Sequence, residues 1–341
     1  MELAIVILNW NGKEFLDRFL PGVIEHSPNA SVFVADNGSS DGSLVHLKEH
    51  FPSVQIIDLK ENYGFAGGYN RALAQVDAEF FLLLNSDVEV SEGWLTPLMG
   101  MIRSSADIAA VQPKILSYKN KHQFEHAGAA GGYIDKDGYP FCRGRIFDLF
   151  EEDNGQYDDE QEIFWATGAC LLLRADLFKQ CGGFNERFFA HMEEIDFCWR
   201  LKNEGHRIMY APNSTVFHVG GGALPYDNPR KTFLNFRNSL FMITRNYHGS
   251  SLLLMILKRL ILDGVAGVKF ILEGNAKHMW QVIRAHFQFY GKLGTLLKER
   301  EALNYDATKA NKKGVYKRSI VKARYLRGEK KFSELDPSEF Y

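Results

Sequence analysis

The sequence predicts an α/β protein, a mainly parallel sheet with helices on both faces. Two observations predict it. Over the first hundred residues, short unbroken apolar runs alternate with stretches whose apolar residues recur at helical spacing. The runs are continuous rather than alternating, which is how strands buried on both faces of a parallel sheet read. A third observation concerns function: each run stops abruptly at Asn, Asp, Ser or Gly.

In order, "LAIVIL" (3–8) is a β-branched strand. Residues 12–26 place Phe15, Leu16, Phe19, Leu20 and Val23 on one helical face. "SVFVADN" (31–37) is a second strand, and residues 43–51 a short helix after the turn Asp41-Gly42-Ser43. "VQIIDL" (54–59) is a third strand, residues 66–76 a helix with glycine at its start, and "EFFLLL" (79–84) a fourth strand. The middle, 110–165, reads as irregular, with turns and short antiparallel strands in 125–144. Within it, "EEDNGQYDDEQE" (151–162) carries seven carboxylates in twelve residues and is expected to be a solvated, mobile loop. Residues 163–184 return to strand then helix, 192–205 form a helix ended by Gly205, and 207–222 give two strand-like pieces before three glycines.

The chain has 341 residues, 45% apolar and 24% charged, which is ordinary for a globular protein with a large core. Its net charge of −2 conceals an asymmetry: residues 1–249 carry −11, residues 250–331 carry +12. Two regions follow, a body at 1–249 and a basic C-terminal region at 250–341. None of the four cysteines forms a CxxC pair or a zinc-binding set with histidine, so reduced thiols of a cytosolic protein are expected. The N-terminus lacks the basic stretch of a signal peptide.

In doubly wound sheets, ligands bind beyond the carboxyl ends of the strands. Four polar strand tips would gather there: Asn9-Trp10-Asn11-Gly12, Asp36 to Asp41, Glu61 to Gly64, and Asn85-Ser86-Asp87. Each alone is ordinary turn chemistry; four on one edge point to a site. No GxGxxG follows the first strand and no Walker A pattern occurs, so a glycine loop is not expected to cradle phosphate. A divalent cation, Mg2+ or Mn2+, bridging carboxylate to diphosphate is the alternative, with Asp87 as ligand and His218 as candidate second ligand. Glu193, Glu194 and Asp196 open the helix at 192–205. They either favour its dipole or supply a general base.

The segments "VILNWNG", "VADNGSSDGS", "NYGFAGGYNRAL", "LLLNSDVEV", "ATGACLLLRADLF", "GGFNERFFAHMEEIDFCWRL" and "VFHVGGG" occur in this order. Together they resemble the family 2 glycosyltransferases of GT-A fold, in the bacterial rhamnosyltransferase-like branch, over about residues 1–250. The resemblance implies a donor site. Leu8, Asn9 and Trp10 would line the nucleobase and ribose, Asp36 would accept from the base beside Asn37 and Gly38, and Asn62, Gly64, Gly68, Asn70 and Arg71 would flank the sugar and diphosphate. Asn85-Ser86-Asp87 falls on the family's DxD motif, with Asp87 and His218 on the metal. Glu194 falls at the catalytic base, with Glu193 and Asp196 as alternatives, and Trp165 to Gly168 would shape the acceptor side. Two departures stand out: Asn85 replaces the first Asp of DxD, and Glu replaces Asp at the base.

The implied reaction is an inverting transfer from a nucleoside-diphosphate sugar, with dTDP-rhamnose a candidate, to a saccharide or lipid-linked acceptor in cell-surface polysaccharide synthesis. Rival readings are a non-catalytic sugar-nucleotide-binding protein and a nucleotidyltransferase. The latter needs a glycine- and base-rich loop after the first strand that this sequence lacks. In the C-terminal region, Lys258, Arg259, Asp263 and Lys269 interrupt the apolar stretch from 250 to 272, leaving no run long enough to span a bilayer. Its helices either pack on the catalytic domain or lie on an anionic membrane, giving peripheral contact through 250–331 at the cytoplasmic face. No nucleic-acid-binding module is recognisable, so nucleic acid is not an expected partner.

Overall fold

The computed structural model describes residues 1–220, 228–249 and 251–341. Gly221 and Gly222 of the expected glycine run, and Ser250 of the apolar stretch, lie outside the described residues. The N-terminal rhythm is β1 (Leu3–Asn9), α1 (Lys13–Glu25), β2 (Ser31–Asp36), α2 (Ser43–His50), β3 (Gln55–Asp58), α3 (Gly64–Leu73) and β4 (Phe80–Asn85). These strands lie in the order β3-β2-β1-β4, all parallel. The continuous apolar runs are explained by burial on both sides. Ile5 and Ile7 of β1 pack with Leu16 and Leu20 of α1, while Ala4 and Val6 face Ala66, Tyr69 and Ala72 of α3. Each fully buried Ile or Leu contributes roughly 1.5–3 kcal/mol.

The chain continues through β5 (Val88–Val90), α4 (Leu95–Ser104) and β6 (Ile108–Ser117). Four short strands follow: β7 (Gly132–Asp135), β8 (Pro140–Cys142), β9 (Arg145–Ile146) and β10 (Leu149–Phe150). Then come β11 (Gln161–Ile163), β12 (Cys170–Arg174), α5 (Ala175–Gln180), α6 (Glu193–Asn203) and β13 (Arg207–His218). The main sheet extends from β4 as β12, β6, β13 and β11. β12 is antiparallel to both neighbours, and β6 and β13 are parallel.

Three expectations for this half are corrected. Residues 108–117 form a ten-residue strand in the middle of the sheet, not irregular chain. Gln112, Pro113 and Lys114 hide it in the sequence. Gln112 bonds the Gly128 carbonyl and the Thr167 amide, and the pairing register with β13 shifts just after Pro113. Residues 207–218 are one strand, bulged between Ala211 and Thr215, rather than two pieces. The acidic run is not a free solvated loop. Lys114 binds Asp153 (2.8 Å) and Asp158 (2.5 Å), Arg143 pairs with Asp159, and the buried Tyr157 donates to Glu151. Glu162 holds Lys202, Arg207 and Asn311.

Beyond the sheet lie α7 (Pro229–Asn246), α8 (Leu252–Leu272), α9 (Ala276–Leu303) and β14 (Val315–Tyr316). Helix α9 packs along α7, with Arg237 donating to Gln288 and Arg245 ion-paired with Glu299. β14 joins β7 in a small second sheet, β10-β9-β8-β7-β14. Phe332 and Phe340 close an aromatic cluster on it with Tyr133, Phe141 and Tyr316. All four cysteines are free. Among the described residues no helix is long and apolar enough to cross a membrane.

Candidate active site

The tips of β1 and β2 are stitched together. Asn9 is fully buried and donates to Asp36 Oδ1 (3.1 Å) and Ser39 Oγ (3.2 Å), while Ser39 N–H donates to Asp36 Oδ2 (3.0 Å). Asn11 stands at φ +54° and its side chain caps the Ser40 amide (2.7 Å). Trp10 is left exposed at the tip, a flat ring on the ligand edge. Asn37 ties this edge to α3: its amide donates to the Gly64 carbonyl (3.0 Å) and the Asn62 side chain (3.3 Å), and it accepts from Tyr63 N–H (3.1 Å). Two glycines are spacing requirements. A Cβ on Gly64, at φ +72°, would stand 2.5 Å from the Phe189 carbonyl, and one on Gly68 would stand 2.8 Å from Leu8. Asn70 and Arg71 are committed to the opposite segment, Asn70 bonding the Phe184 backbone and Arg71 bonding Glu186 (2.8 Å) while lying over Tyr63.

Asp87 and His218 are brought together by strand pairing. Antiparallel β5–β13 sets His218 opposite Val88, next to Asp87. Asp87 Oδ1 lies 3.2 Å from His218 Nε2, and Asn85 Nδ2 lies 3.4 Å from the same nitrogen. His218 Nδ1 donates to Glu125 Oε2 at 3.0 Å. Burial opposes charge on His218, but Asp87 and Glu125 raise it to about 10. Burial likewise opposes charge on Glu125, but His218 and the Ala127 amide hold it down at about 2.

This donor set fits a hard divalent cation. Two ligand atoms side by side on an octahedral ion at ~2.1 Å stand about 3 Å apart, as Asp87 Oδ1 and His218 Nε2 do. Glu125 on the far nitrogen is the carboxylate–histidine arrangement that turns Nε2 towards a metal. Among the described residues no cluster of three or more His, Cys, Asp or Glu could hold an ion alone, so phosphate oxygens would have to complete the shell. Glu125 was not singled out from the sequence. It lies in a turn-rich stretch, and its role arises only from a contact 93 residues away.

The acidic helix start sorts its three carboxylates. Asp196 is fully buried and spent on Arg200 (3.1 Å), Arg245 (2.5 Å) and Asn246 (2.7 Å). Glu193 is buried, and Glu194 is half-buried; each keeps one carboxylate oxygen without a partner. Burial and the neighbouring Glu194 push Glu193 well above the usual range. Burial pushes Glu194 up to about 7, against backbone N–H groups including that of Gly168. The segment Trp165 to Ala169 thus joins the two halves. Its Ala169 carbonyl accepts from Asn85 N–H (3.0 Å), and its Gly168 amide faces Glu194.

The loop before α6 is strained, with Phe189, His191 and Met192 at φ +64°, +69° and +71°. Residues of this kind cost roughly 1–3 kcal/mol each and persist only where surroundings hold them. The holders come from α7, whose place here has no signal in the sequence. Asn238 directs its amide at the carbonyls of Phe188, Ala190 and His191 (2.7–3.0 Å), and Arg237 donates to those of Arg187 and Phe188.

The family described as "Glycosyl transferase family 2" matches residues 4–182. An N-acetylglucosaminyl-diphospho-decaprenol L-rhamnosyltransferase of Mycobacterium tuberculosis is 28% identical over 233 residues, 63% of this chain and 75% of the relative. The low-salt glycan biosynthesis hexosyltransferase Agl10 of Haloferax volcanii is 27% identical over 252 residues, 70% of this chain and 74% of the relative. Among solved structures, GalNAc-T7 with UDP, GalNAc and Mn2+ superposes with a TM-score of 0.62 at 14% identity, over 91% of this chain and 55% of that one. The chain belongs to glycosyl transferase family 2, in its rhamnosyltransferase-like branch, and is a glycosyltransferase of GT-A fold.

Proposed function

We propose that this chain transfers a sugar, with inversion, from a nucleoside-diphosphate donor to an acceptor hydroxyl in cell-surface glycan synthesis. The observation that carries the reading is the Asp87–His218 pair, ligand atoms 3.2 Å apart at the end of β4. A donor laid along the strand tips would set its base and ribose by Leu8, Asn9, Trp10 and Asp36. Asn37, Asn62, Gly64 and Gly68 form the wall beside its diphosphate, and Asn70 and Arg71 brace that wall. Asn85 and Ser86 take the first two positions of the DxD motif, with Asn85 supplying a neutral donor where the family has a carboxylate. A bound Mg2+ or Mn2+ on Asp87 and His218 would offset the charge that develops on the departing diphosphate.

Glu194 removes the acceptor proton. Its carboxyl titrates near working pH, and its free oxygen has no protein partner to displace. Asp196 is tied into its ion pairs, which favours Glu194 with Glu193 beside it. The mycobacterial relative's rhamnosyl transfer to a diphospho-decaprenol-linked sugar favours a lipid-linked saccharide as acceptor class and a rhamnose donor, with dTDP-rhamnose the first to try. Such an acceptor favours a peripheral position at the cytoplasmic face of the membrane.

The test is a panel of nucleotide sugars with Mn2+ or Mg2+, read first by thermal shift and then by transfer. The reading expects one donor to stabilise the protein in the presence of metal and to be consumed. Stabilisation without consumption of any donor, with acceptors present, would favour a binding protein instead.

A further inference from the structure

Helix α8 is built inside out. A surface helix of a soluble protein buries its apolar stripe and shows its charges to water. In α8 two of the four charges are inside: Arg259 and Asp263 are 2% and 1% exposed, while Lys258 pairs with Asp137 and Lys269 stands exposed near the C-terminal end. Arg259 stacks on Tyr139 at 3.7 Å and donates to the carbonyls of Asp137 and Gly138, and Asp263 faces His286 of α9. The outward face is apolar. Leu253, Leu257, Ile261, Val265, Val268 and Leu272 are 47–82% exposed and recur at three- and four-residue spacing. That stripe is about 28 Å long at the α-helical rise. Leu326, 78% exposed, extends the patch beside Tyr325, which Lys269 overlies.

We infer that this face of α8 lies in the surface of an anionic lipid bilayer, with Lys269 and the exposed bases of α9 on the headgroups. Three points favour lipid over a second copy of the chain. The helix is too interrupted to span a bilayer but presents a charge-free face, the signature of an in-plane helix. Lys269 stands exposed beside it, in a region carrying +12. Joining two copies through it would press like charges together, whereas acidic headgroups neutralise them.

The contact also orients the enzyme. The C-terminal end of α8 packs on the first half of α7, Phe270 against Phe236, and His278 of α9 meets Thr232. The same end of α7 carries Arg230 over Phe189 of the strained loop. The apolar tip formed by Leu272 and Trp280, 82% and 58% exposed, therefore sits at the end of the molecule nearest that loop. This orientation rests on the transferase reading, and the lipid contact does not: docking would turn the acceptor side towards a lipid-anchored saccharide.

The test is flotation of the full chain with vesicles of phosphatidylglycerol and phosphatidylcholine, beside phosphatidylcholine alone. The wild type is expected to float with the anionic vesicles and at least tenfold less with the neutral ones. Ile261→Asp combined with Val265→Asp is expected to lose at least tenfold of that binding with an unchanged melting temperature, and Lys269→Glu combined with Lys277→Glu to lose part of it. Failure of the wild type to float, indifference to anionic lipid, or equal flotation of the Asp variant would overturn the inference. So would a dimer in light scattering that the Asp variant dissolves without any flotation. Nucleotide-sugar binding is read by thermal shift on the same samples. Loss of nucleotide binding in a floating protein overturns the transferase reading alone, and the reverse pattern overturns the lipid contact alone.

Discussion

Glu125 carries the least obvious residue-level role. A histidine ligand needs its far nitrogen held, or the ring turns and the wrong tautomer faces the metal. Glu125 would do this for His218, whose Nδ1 it meets at 3.0 Å from a buried, ionised position. Glu125→Gln keeps the shape and removes the charge. We expect a 10–100-fold weaker affinity for Mn2+ in the presence of nucleoside diphosphate, measured by titration calorimetry, since that is the usual effect of losing such a partner. Unchanged Mn2+ affinity would show that Glu125 serves only the fold. Glu194 gives a pH prediction. A base must be ionised, and burial holds Glu194 at about 7, so transfer should rise as pH increases through about 7. A rate that is flat from pH 5 to 8 would contradict it. The sign for stability is opposite. A carboxyl whose folded value is raised releases its proton in the unfolded chain first, so Glu194 costs stability increasingly as pH climbs from its ordinary value towards 7.

Among the elements, α7 matters more to the site than its distance in sequence implies. Its Asn238 meets three carbonyls of the strained loop, and without them the left-handed residues at 189, 191 and 192 lose their support. Asn238→Ala should lower turnover at least tenfold while leaving donor affinity unchanged, and should cost roughly 1–3 kcal/mol for the orphaned carbonyls. A fall in donor affinity with intact turnover would place its effect elsewhere. The elements also separate what was legible in the sequence from what was not. β1 to β4 were readable because strands buried on both faces must be continuously apolar. β6 was not, because its polar Gln112 and Lys114 find partners only in the folded chain. β13 read as two pieces because the bulge after Ala211 breaks its pattern without ending the strand. The acidic run looked solvated because Lys114 and Arg143, which neutralise it, are far away in sequence. The tips bearing Asp36 and Asp87 were legible for a local reason, since polar residues at the ends of apolar runs mark the ligand edge. Glu125 and Asn238 were invisible because their roles are long-range contacts between groups that look ordinary in isolation.

The whole molecule joins two working halves. The strand tips of residues 1–90 would hold the donor, and residues 165–218 would supply the base and the histidine; the Asn85 amide and the Ala169 carbonyl connect them. The C-terminal region is mechanically part of this assembly. Removing residues 250–341 would strip α9 from α7, take Glu299 from Arg245, and remove β14, Phe332 and Phe340 from the second sheet. Several kcal/mol should be lost, a fall of at least about 10 °C in melting temperature at 2–4 °C per kcal/mol. A truncated chain that melts cooperatively at the wild-type temperature would show the region to be an appendage. Donor holding and base catalysis would reside on separate groups in one site. The transfer rate of Glu194→Gln, taken with its affinity for nucleoside diphosphate and metal, separates the two. A loss of at least ~100-fold in transfer with unchanged nucleotide affinity is expected. Turnover near that of the wild type would contradict it.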